Sequence, residues 1–171
     1  MKRRAARIDF RGVVEHRHEA DDRVAEPGEA ALVHRSVDRS LVMACPDGCG
    51  EILTVNLDRR TGLAWRLYRD AGAISMYPSV WRTTGCKSHF IVWQSRVYWC
   101  DWHDELEATS ESFEQTVLAR LTAVPQQYVD VADQLEAVPW AVLVACNRLK
   151  MRGLVQGGAG DERDRFWLAS R

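Results

Sequence analysis

Cysteines and histidines gather between Cys45 and His103, and their spacing is typical of a metal site. Four of the five cysteines and two of the five histidines lie in this stretch, in short groups. A tetrahedral zinc site takes four thiolate or imidazole ligands, usually as two close pairs that folding brings together. The pairs Cys45/Cys49 and Cys86/His89 have this form. We therefore predict that these four residues bind a metal, and mixed thiolate and imidazole ligands favour zinc.

A predicted β-hairpin brings a fifth candidate ligand to the same place. Two β-rich runs flank Gln94-Ser95. If these two residues form the turn, position 93 pairs with position 96, and counting back sets His89 opposite Cys100. Directly opposed residues lie about 4.5–5.5 Å apart at Cβ. Three roles therefore stay open for Cys100: an alternative metal ligand, a reactive thiol beside the metal, or a packed core residue.

A few residues near the predicted ligands could turn a structural site into a catalytic one. Structural zinc sites have four protein ligands, whereas catalytic sites keep a position for water. Glu51 follows Cys49 closely enough to act as a general base toward a metal-bound water. Cys100, if it is not a ligand, would lie in an electropositive site that lowers its pKa, with His103 nearby. Glu51, Cys100 and His103 are therefore the candidate catalytic residues, although cysteine-rich ligation by itself favours a structural role.

Composition and charge are those of a soluble globular protein. The chain has 171 residues, of which 46% are hydrophobic and 27% charged, with a formal net charge of −1. Such a balance provides no global attraction to nucleic acid or to an anionic membrane. No apolar run approaches the roughly 20 residues that span a bilayer, and no apolar segment follows the basic N-terminus. We expect a cytoplasmic protein without a membrane partner, in which paired cysteines bind metal rather than form disulfides.

The N-terminal part of the chain shows the period-2 alternation of short strands. We predict a solvated arm up to Arg7, a strand at 8–14, and a charged loop at 15–26 that carries His16 and His18. Further strands are expected at 31–37, 40–44, 51–57, 64–68 and 74–77, with a tight turn at Asp38-Arg39. The prediction for residues 1–104 is a small antiparallel β domain of the zinc-ribbon type.

Beyond residue 104 the periodicity changes to 3.6 and predicts helices. Phe113, Val117 and Leu121 share one helical face, and Ser110 or Ser112 could cap its N-terminus. We expect two more helices, at 130–138 and 140–152, and then a β-hairpin around the glycine-rich turn at 157–160. Three helices followed by a hairpin resemble a winged helix-turn-helix. The whole chain is thus predicted to be α+β, with a second domain at 105–171.

The predicted C-terminal domain carries basic residues in its third helix and hairpin. A winged helix often places its third helix in the DNA major groove. The candidate DNA contacts are Asn147, Arg148, Lys150, Arg152, Arg163 and Arg165. Acidic residues balance the basic ones across this region, however, and a non-specific DNA binder usually shows a clearer basic excess. The balance favours protein contact or homodimerisation over DNA binding.

Three stretches resemble a known family: CPDGCGE from Cys45, MYPSVWRTTGCKSHF from Met76, and RVYWC from Arg96. They are similar to bacterial proteins of the domain-of-unknown-function 6527 family, over roughly residues 8 to 103. The resemblance implies a small β-rich metal-binding protein, encoded in some members beside ubiquitin-like proteins and their conjugation enzymes in phage-defence operons. It also implies a peptidase role on the ubiquitin-like modifier. Family members often carry a cysteine where this chain has Asp47, which leaves Cys45 and Cys49 as the ligand pair.

Two functions are consistent with these patterns. The first is a zinc-dependent peptidase or related hydrolase that processes or removes a ubiquitin-like modifier. The second is a non-enzymatic adaptor, in which a structural zinc ribbon is joined to a winged helix that binds DNA or a protein partner. The role of the fifth candidate ligand, Cys100, separates the two at the level of sequence.

Overall fold

The chain folds as two units, Met1–Glu105 and Leu106–Arg171. The computed structural model describes residues 3–102 and 105–169. It is α+β, with several small sheets and few helices, which agrees with the predicted fold class at this level. None of the helices within the described residues is long and apolar enough to cross a membrane.

The N-terminal unit is built almost entirely from short strands. One short helix, α1 (Arg17–Asp21), follows the first of them. The strands are β1 (Asp9–Val14), β2 (Glu29–Arg35), β3 (Val37–Ala44), β4 (Ile52–Asn56), β5 (Arg66–Asp70), β6 (Ala73–Tyr77), β7 (Val80–Trp81), β8 (His89–Trp93) and β9 (Arg96–Trp99). They form sheets of order β1-β2-β3-β4, β5-β6 and β7-β8-β9. All pairs are antiparallel except β1 with β2, which run parallel.

Alternating side chains on β2 and β3 supply two separate cores. Leu32 and Leu41 point into the main core, together with Phe90 from β8 and residues of the other two sheets. Their neighbours Val33 and Val42 point to the opposite face, where α1 covers the sheet. Because successive strand residues face opposite sides, two strands that are apolar on both faces must be buried on both. This arrangement places β3, and the loop after it, in the interior.

Two predictions about the segments between the N-terminal strands are wrong. The hairpin between β2 and β3 turns at Ser36, which has φ 63°, and not at Asp38-Arg39. The charged segment after β1 forms α1 instead of a loop, and the rings of His16 and His18 stack at its start with centroids 5.5 Å apart. Local hydrogen bonds decide this, because the Glu19 carboxylate accepts from the backbone N–H of His16 at 3.0 Å and caps the helix.

The N-terminal segment was predicted to be a solvated arm, and this is also wrong. The backbone N–H of Ala5 donates to the carbonyl of Pro46 at 2.7 Å, and that of Val97 donates to the carbonyl of Ala6 at 3.0 Å. Arg4 forms an ion pair with Asp47 at 2.7 Å and lies 4.4 Å over the ring of Trp99. Basic residues at a terminus can therefore be ordered when a buried acid and an aromatic ring are available to them.

The hairpin of β8 and β9 has the predicted register. Trp93 pairs with Arg96, and the turn residues Gln94 and Ser95 both have positive φ, at 50° and 58°. This is the backbone of a two-residue turn, in which both central residues adopt the left-handed conformation. The paired residues end at Trp99, and the chain then enters a 3-10 turn, Cys100–Trp102.

The C-terminal unit has three helices and a small sheet. Its elements are α2 (Glu111–Arg120), β10 (Gln126–Gln127), α3 (Tyr128–Gln134), α4 (Pro139–Met151), β11 (Val155–Gly157) and β12 (Arg165–Leu168), with sheet order β10-β12-β11. Ser110 caps α2 as predicted, because its hydroxyl accepts from the backbone N–H of Phe113 at 3.3 Å. Helix α3 begins two residues earlier than expected. Pro139 was expected to precede the third helix but is the first residue of α4, a position where the missing N–H of proline costs nothing.

Candidate functional site

The first cysteine pair lies on a tight loop at the end of β3. Cys45 is buried, and its backbone N–H donates to the carbonyl of Glu51 at 2.8 Å, which closes the loop. Gly48 and Gly50 have φ 82° and 88°, a backbone conformation that glycine adopts without steric cost. The loop therefore folds back on itself and brings Cys49 beside Cys45.

The third cysteine comes from the loop between β7 and β8. The backbone N–H of Arg82 donates to the carbonyl of Ser88 at 3.0 Å, so the two strands stay joined to the base of this loop. Lys87 has φ 55° and directly follows Cys86. The turn directs Cys86 back toward the first loop, which lies about forty residues earlier in the chain.

Three thiols meet at this point and fit a metal ion. The sulfur atoms of Cys45, Cys49 and Cys86 all lie within 4.8 Å of one another. The Sγ atoms of Cys45 and Cys86 are 3.7 Å apart, whereas a disulfide would hold them at about 2.05 Å. Ligands about 2.3 Å from a tetrahedral zinc ion are about 3.8 Å from each other. The spacing of this pair therefore fits two ligands of one metal ion.

Arg82 links the cysteine group to Glu51. Its Nη1 atom lies 3.0 Å from the sulfur of Cys86, 3.5 Å from that of Cys49 and 3.8 Å from that of Cys45. Its Nη2 atom donates to the carboxylate of Glu51. The guanidinium thus supplies positive charge to the thiol group, and Glu51 is held in an ion pair.

The thiols differ in their tendency to ionise. Burial raises the pKa of Cys45 to about 11. Burial also disfavours the thiolate of Cys86, but hydrogen bonds with the hydroxyl and backbone of Ser88 outweigh it and lower the pKa to about 7. The Ser88 hydroxyl lies 3.2 Å from the sulfur of Cys86. Cys86 therefore becomes a thiolate, the form that binds metal, at a lower pH than Cys45 does.

The remaining predicted site residues lie apart from this group. Neither His89 nor Cys100 belongs to it, although both are among the described residues. Cys100 is half-buried at the start of the 3-10 turn after β9. His103 lies outside the described residues. Three of the four residues predicted as metal ligands therefore lie together in the structure.

His89 forms a different pair, with a serine. Its Nε2 atom is 3.0 Å from the hydroxyl oxygen of Ser79. Trp81 pairs with His89, and Val80 pairs with Phe90, across β7 and β8. Val80 and Phe90 face the main core, so alternation directs their neighbours outward. Ser79 and His89 are thus diagonal neighbours on the outer face, within reach of a long side chain.

Two tryptophans support the serine and the histidine. The indole N–H of Trp65 donates to the backbone carbonyl of Ser79 at 3.2 Å. The ring of Trp81 stacks on that of His89, with centroids 5.6 Å apart and an interplanar angle of 26°. Both residues are therefore held by neighbours outside the pair, Ser79 through its backbone carbonyl and His89 through its ring. A hydroxyl within hydrogen-bond reach of an imidazole nitrogen is the geometry of an activated nucleophile and its base.

Ser79 was not among the predicted site residues. It lay in the stretch that carries the family resemblance, but the prediction treated it as part of a connection between strands. A lone serine ten residues before a histidine carries no signal by itself. The signal that could have found it is the alternation of β7 and β8, which sets both polar residues on one face opposite a buried valine and phenylalanine.

The predicted DNA contacts in the C-terminal unit divide into two sets. Arg148 and Arg152 form ion pairs, both at 2.5 Å, with Glu114, whose side chain is 1% exposed. These two arginines thus hold α2 against α4. The side chains of Asn147, Lys150 and Arg163 are exposed, and Arg165 is half-buried on β12. Two of the six predicted DNA contacts, Arg148 and Arg152, are therefore engaged in ion pairs between helices.

Comparison with known proteins gives one match. Residues 16–100 match the family model described as "Bacterial ubiquitination-like system serine protease (BubE)". No curated protein and no solved structure matches the chain. The matched residues include the three clustered cysteines and the Ser79–His89 pair. The match links the chain to a bacterial ubiquitination-like system, as the sequence resemblance implied.

Proposed function

We propose that this protein is a serine peptidase that processes or removes a ubiquitin-like modifier in a bacterial conjugation pathway. The observation that carries the proposal is the 3.0 Å contact between His89 Nε2 and Ser79 Oγ. The contact lies inside the segment that matches a family described as serine proteases. In this proposal Ser79 is the nucleophile and His89 is the general base.

The proposed reaction uses the two side chains in turn. Ser79 Oγ attacks the carbonyl carbon of the scissile bond while its proton passes to His89 Nε2. The protonated imidazole then gives that proton to the leaving amine, the C–N bond breaks, and an acyl ester remains on Ser79. A water molecule attacks the ester, loses its proton to His89, and the serine leaves with that proton. The enzyme returns to its starting state.

The cysteine group has a separate role in this proposal. Cys45, Cys49 and Cys86 would supply three of the four ligands of a structural zinc ion, which would cross-link the loop after β3 to the loop before β8. Structural zinc sites contribute to folding free energy directly. Because His89 is the third residue after Cys86, fixing the loop also fixes the start of β8 and with it the imidazole.

The metal-assisted route predicted from sequence is the second candidate mechanism. It would use Glu51 as base, with Cys100 and His103 nearby, toward a water on the metal. The ion pair between Glu51 and Arg82 favours the serine route, because this carboxylate is already held by a guanidinium.

Two readouts test the serine route: labelling by a fluorophosphonate probe, and cleavage of a modifier precursor encoded beside this protein. Wild type should be labelled on one serine and should cleave the precursor, and Ser79→Ala should lose both. Ser112→Ala, on the exposed start of α2, is the matched control and should retain both. Labelling of Ser79→Ala at the wild-type level would contradict the assignment.

The same experiment separates peptidase from adaptor. If wild type neither reacts with the probe nor cleaves the precursor, and zinc is present with four protein ligands, the adaptor function is correct. In that case the partner would be a conjugation enzyme, a second copy of this chain or DNA. A gel shift that is lost with Lys150→Ala would identify DNA, and Lys150 is preferred over Arg148 because Arg148 also holds Glu114.

A further inference from the structure

A cleft begins one residue before the proposed nucleophile. It has a volume of about 430 Å³ and lies between the segment that leads into β5 and the end of β6. Tyr77 and Pro78 form one wall, and Ser79 is the next residue. Pro78 is joined directly to Ser79, so a chain lying in this cleft runs beside the segment that carries the proposed nucleophile.

The lining of the cleft is basic and apolar. Arg59 and Arg66 provide positive charge, Leu63 and Tyr77 provide apolar surface, and none of the described acidic residues lines it. Leu63 is 94% exposed, so its side chain is accessible to a ligand. The combination fits a ligand that carries a negative charge beside an apolar side chain.

Arg59 differs from the two arginines that pair with its neighbour Asp58. Arg39 and Arg60 form ion pairs with Asp58 at 2.5 and 2.8 Å. Arg59 forms no ion pair with any residue that the structure describes, and its side chain is exposed. Asp58 is therefore already neutralised, and the charge of Arg59 is available to a ligand in the cleft.

One hydrogen bond connects the cleft to the proposed nucleophile. Trp65 lies between Ala64 and Arg66, both of which line the cleft. Its indole N–H donates to the backbone carbonyl of Ser79 at 3.2 Å. The segment that would hold the ligand is therefore fixed relative to the residue that would react with it.

We infer that this cleft is a specificity site, which takes an extended substrate segment carrying an aspartate or glutamate next to an apolar residue, within about three residues of the scissile bond. Arg59 pairs with the carboxylate, and Leu63 packs against the apolar side chain. The inference rests on the proposed peptidase function, because it names the substrate class of the same site.

The test measures binding, so that it does not depend on turnover. The probes are fluorescein-labelled decapeptides of glycine and serine with one leucine, followed by glutamate, glutamine or lysine. Fluorescence anisotropy is measured on the full-length chain with Ser79→Ala. The glutamate probe should bind about fivefold tighter than the glutamine probe, since an exposed ion pair contributes up to about 1 kcal/mol. The preference should fall at high salt.

Charge reversal provides the matched comparison. Arg59→Glu should make the lysine probe the tightest of the three. Arg69→Glu, on the exposed end of β5 outside the cleft, should leave the wild-type order unchanged. If the glutamate and lysine probes bind equally to the unreversed protein, or if Arg59→Glu keeps the original order, the inference is wrong.

The outcomes also separate this inference from the proposed function. If the protein shows no preference for the glutamate probe but still cleaves the precursor in a Ser79-dependent way, only the specificity site is wrong. If the protein prefers the glutamate probe but wild type neither cleaves the precursor nor reacts with the fluorophosphonate probe, only the peptidase function is wrong.

Discussion

The cysteine group and the Ser79–His89 pair use the same short segment of chain in different ways. Cys86 reaches a partner 41 residues away, whereas Ser79 and His89 are 10 residues apart on neighbouring strands. The cysteine group includes a buried member, Cys45, but the serine and histidine are half-exposed on the outer face of the sheet. One site closes a long loop, and the other faces solvent.

The cysteine group and the Ser79–His89 pair, which lie close together in the sequence, are therefore expected to have different roles. A ligand set in the interior, with ligands from distant loops, stabilises a fold because it restricts the unfolded chain. A hydroxyl and an imidazole at the surface contribute little to folding but are accessible to a substrate. Variants at the two sites should therefore affect different measurements, and four predictions test this separation.

The largest expected effect is on cleavage by the pair. Ser79→Ala and His89→Ala should each reduce kcat/KM by about 10³-fold or more, and the double variant should be no worse than either, because the two residues act as a unit. Zinc content should stay at the wild-type level in all three. Loss of zinc from His89→Ala would return His89 to the ligand set predicted from sequence, and additive losses would show that the two residues do not act as a unit.

Cys45→Ser should have its main effect on metal and stability. Removing a buried ligand should lower zinc content below the wild-type level and reduce the free energy of unfolding of the N-terminal unit by about 3 kcal/mol. Elemental analysis and thermal unfolding measure these. Cys146→Ala, in α4 of the other unit, is the control and should retain the metal. If Cys45→Ser kept the wild-type zinc content, the cysteine group would not be the metal site.

Arg82→Gln should weaken metal binding without removing it. Groups that hydrogen-bond to metal ligands typically change affinity by about tenfold or more, and Arg82 contacts the sulfur of Cys86 at 3.0 Å. Competition with a chelator should show the loss, and Arg82→Lys should recover part of it. An unchanged zinc affinity would mean that the Arg82 guanidinium pairs with Glu51 but does not support the metal ligands.

The smallest effect is expected from the stacking partner of the base. Trp81→Ala should lower kcat about fivefold with little change in KM, because an aromatic contact contributes about 1 kcal/mol and here orients His89. Trp81→Phe should keep most of the rate. A change in KM alone would instead place Trp81, which is 69% exposed, in contact with the substrate.

Part of the fold and of the candidate site could be predicted because the signal was local. The hairpin of β8 and β9 follows from two β-rich runs around Gln94-Ser95, and its register was correct. The cap at Ser110 and the change from strands to helices were also visible as short patterns. The clustered cysteines indicated a metal site, since close pairs of cysteines that do not form disulfides have few other uses.

Other features depended on contacts that no short pattern contains. Arg4 is ordered because Asp47 and Trp99 are brought to it by folding. Arg148 and Arg152 were predicted as DNA contacts, but both pair with Glu114, which belongs to another helix. Spacing alone suggested His89 as a ligand, because it lies three residues after Cys86. Its strand instead directs the ring toward Ser79.

The sequence by itself determined that strands come first and helices second, that cysteines would meet, and that the β8–β9 hairpin turns at positions 94 and 95. These follow from periodicity and residue type, which act over a few neighbouring residues. Only the tertiary structure decided which side chains meet: three cysteines around Arg82, and a serine with a histidine on the outer face of β7 and β8. Those partners depend on which strands pair and which faces are buried, and burial is a property of the whole folded unit.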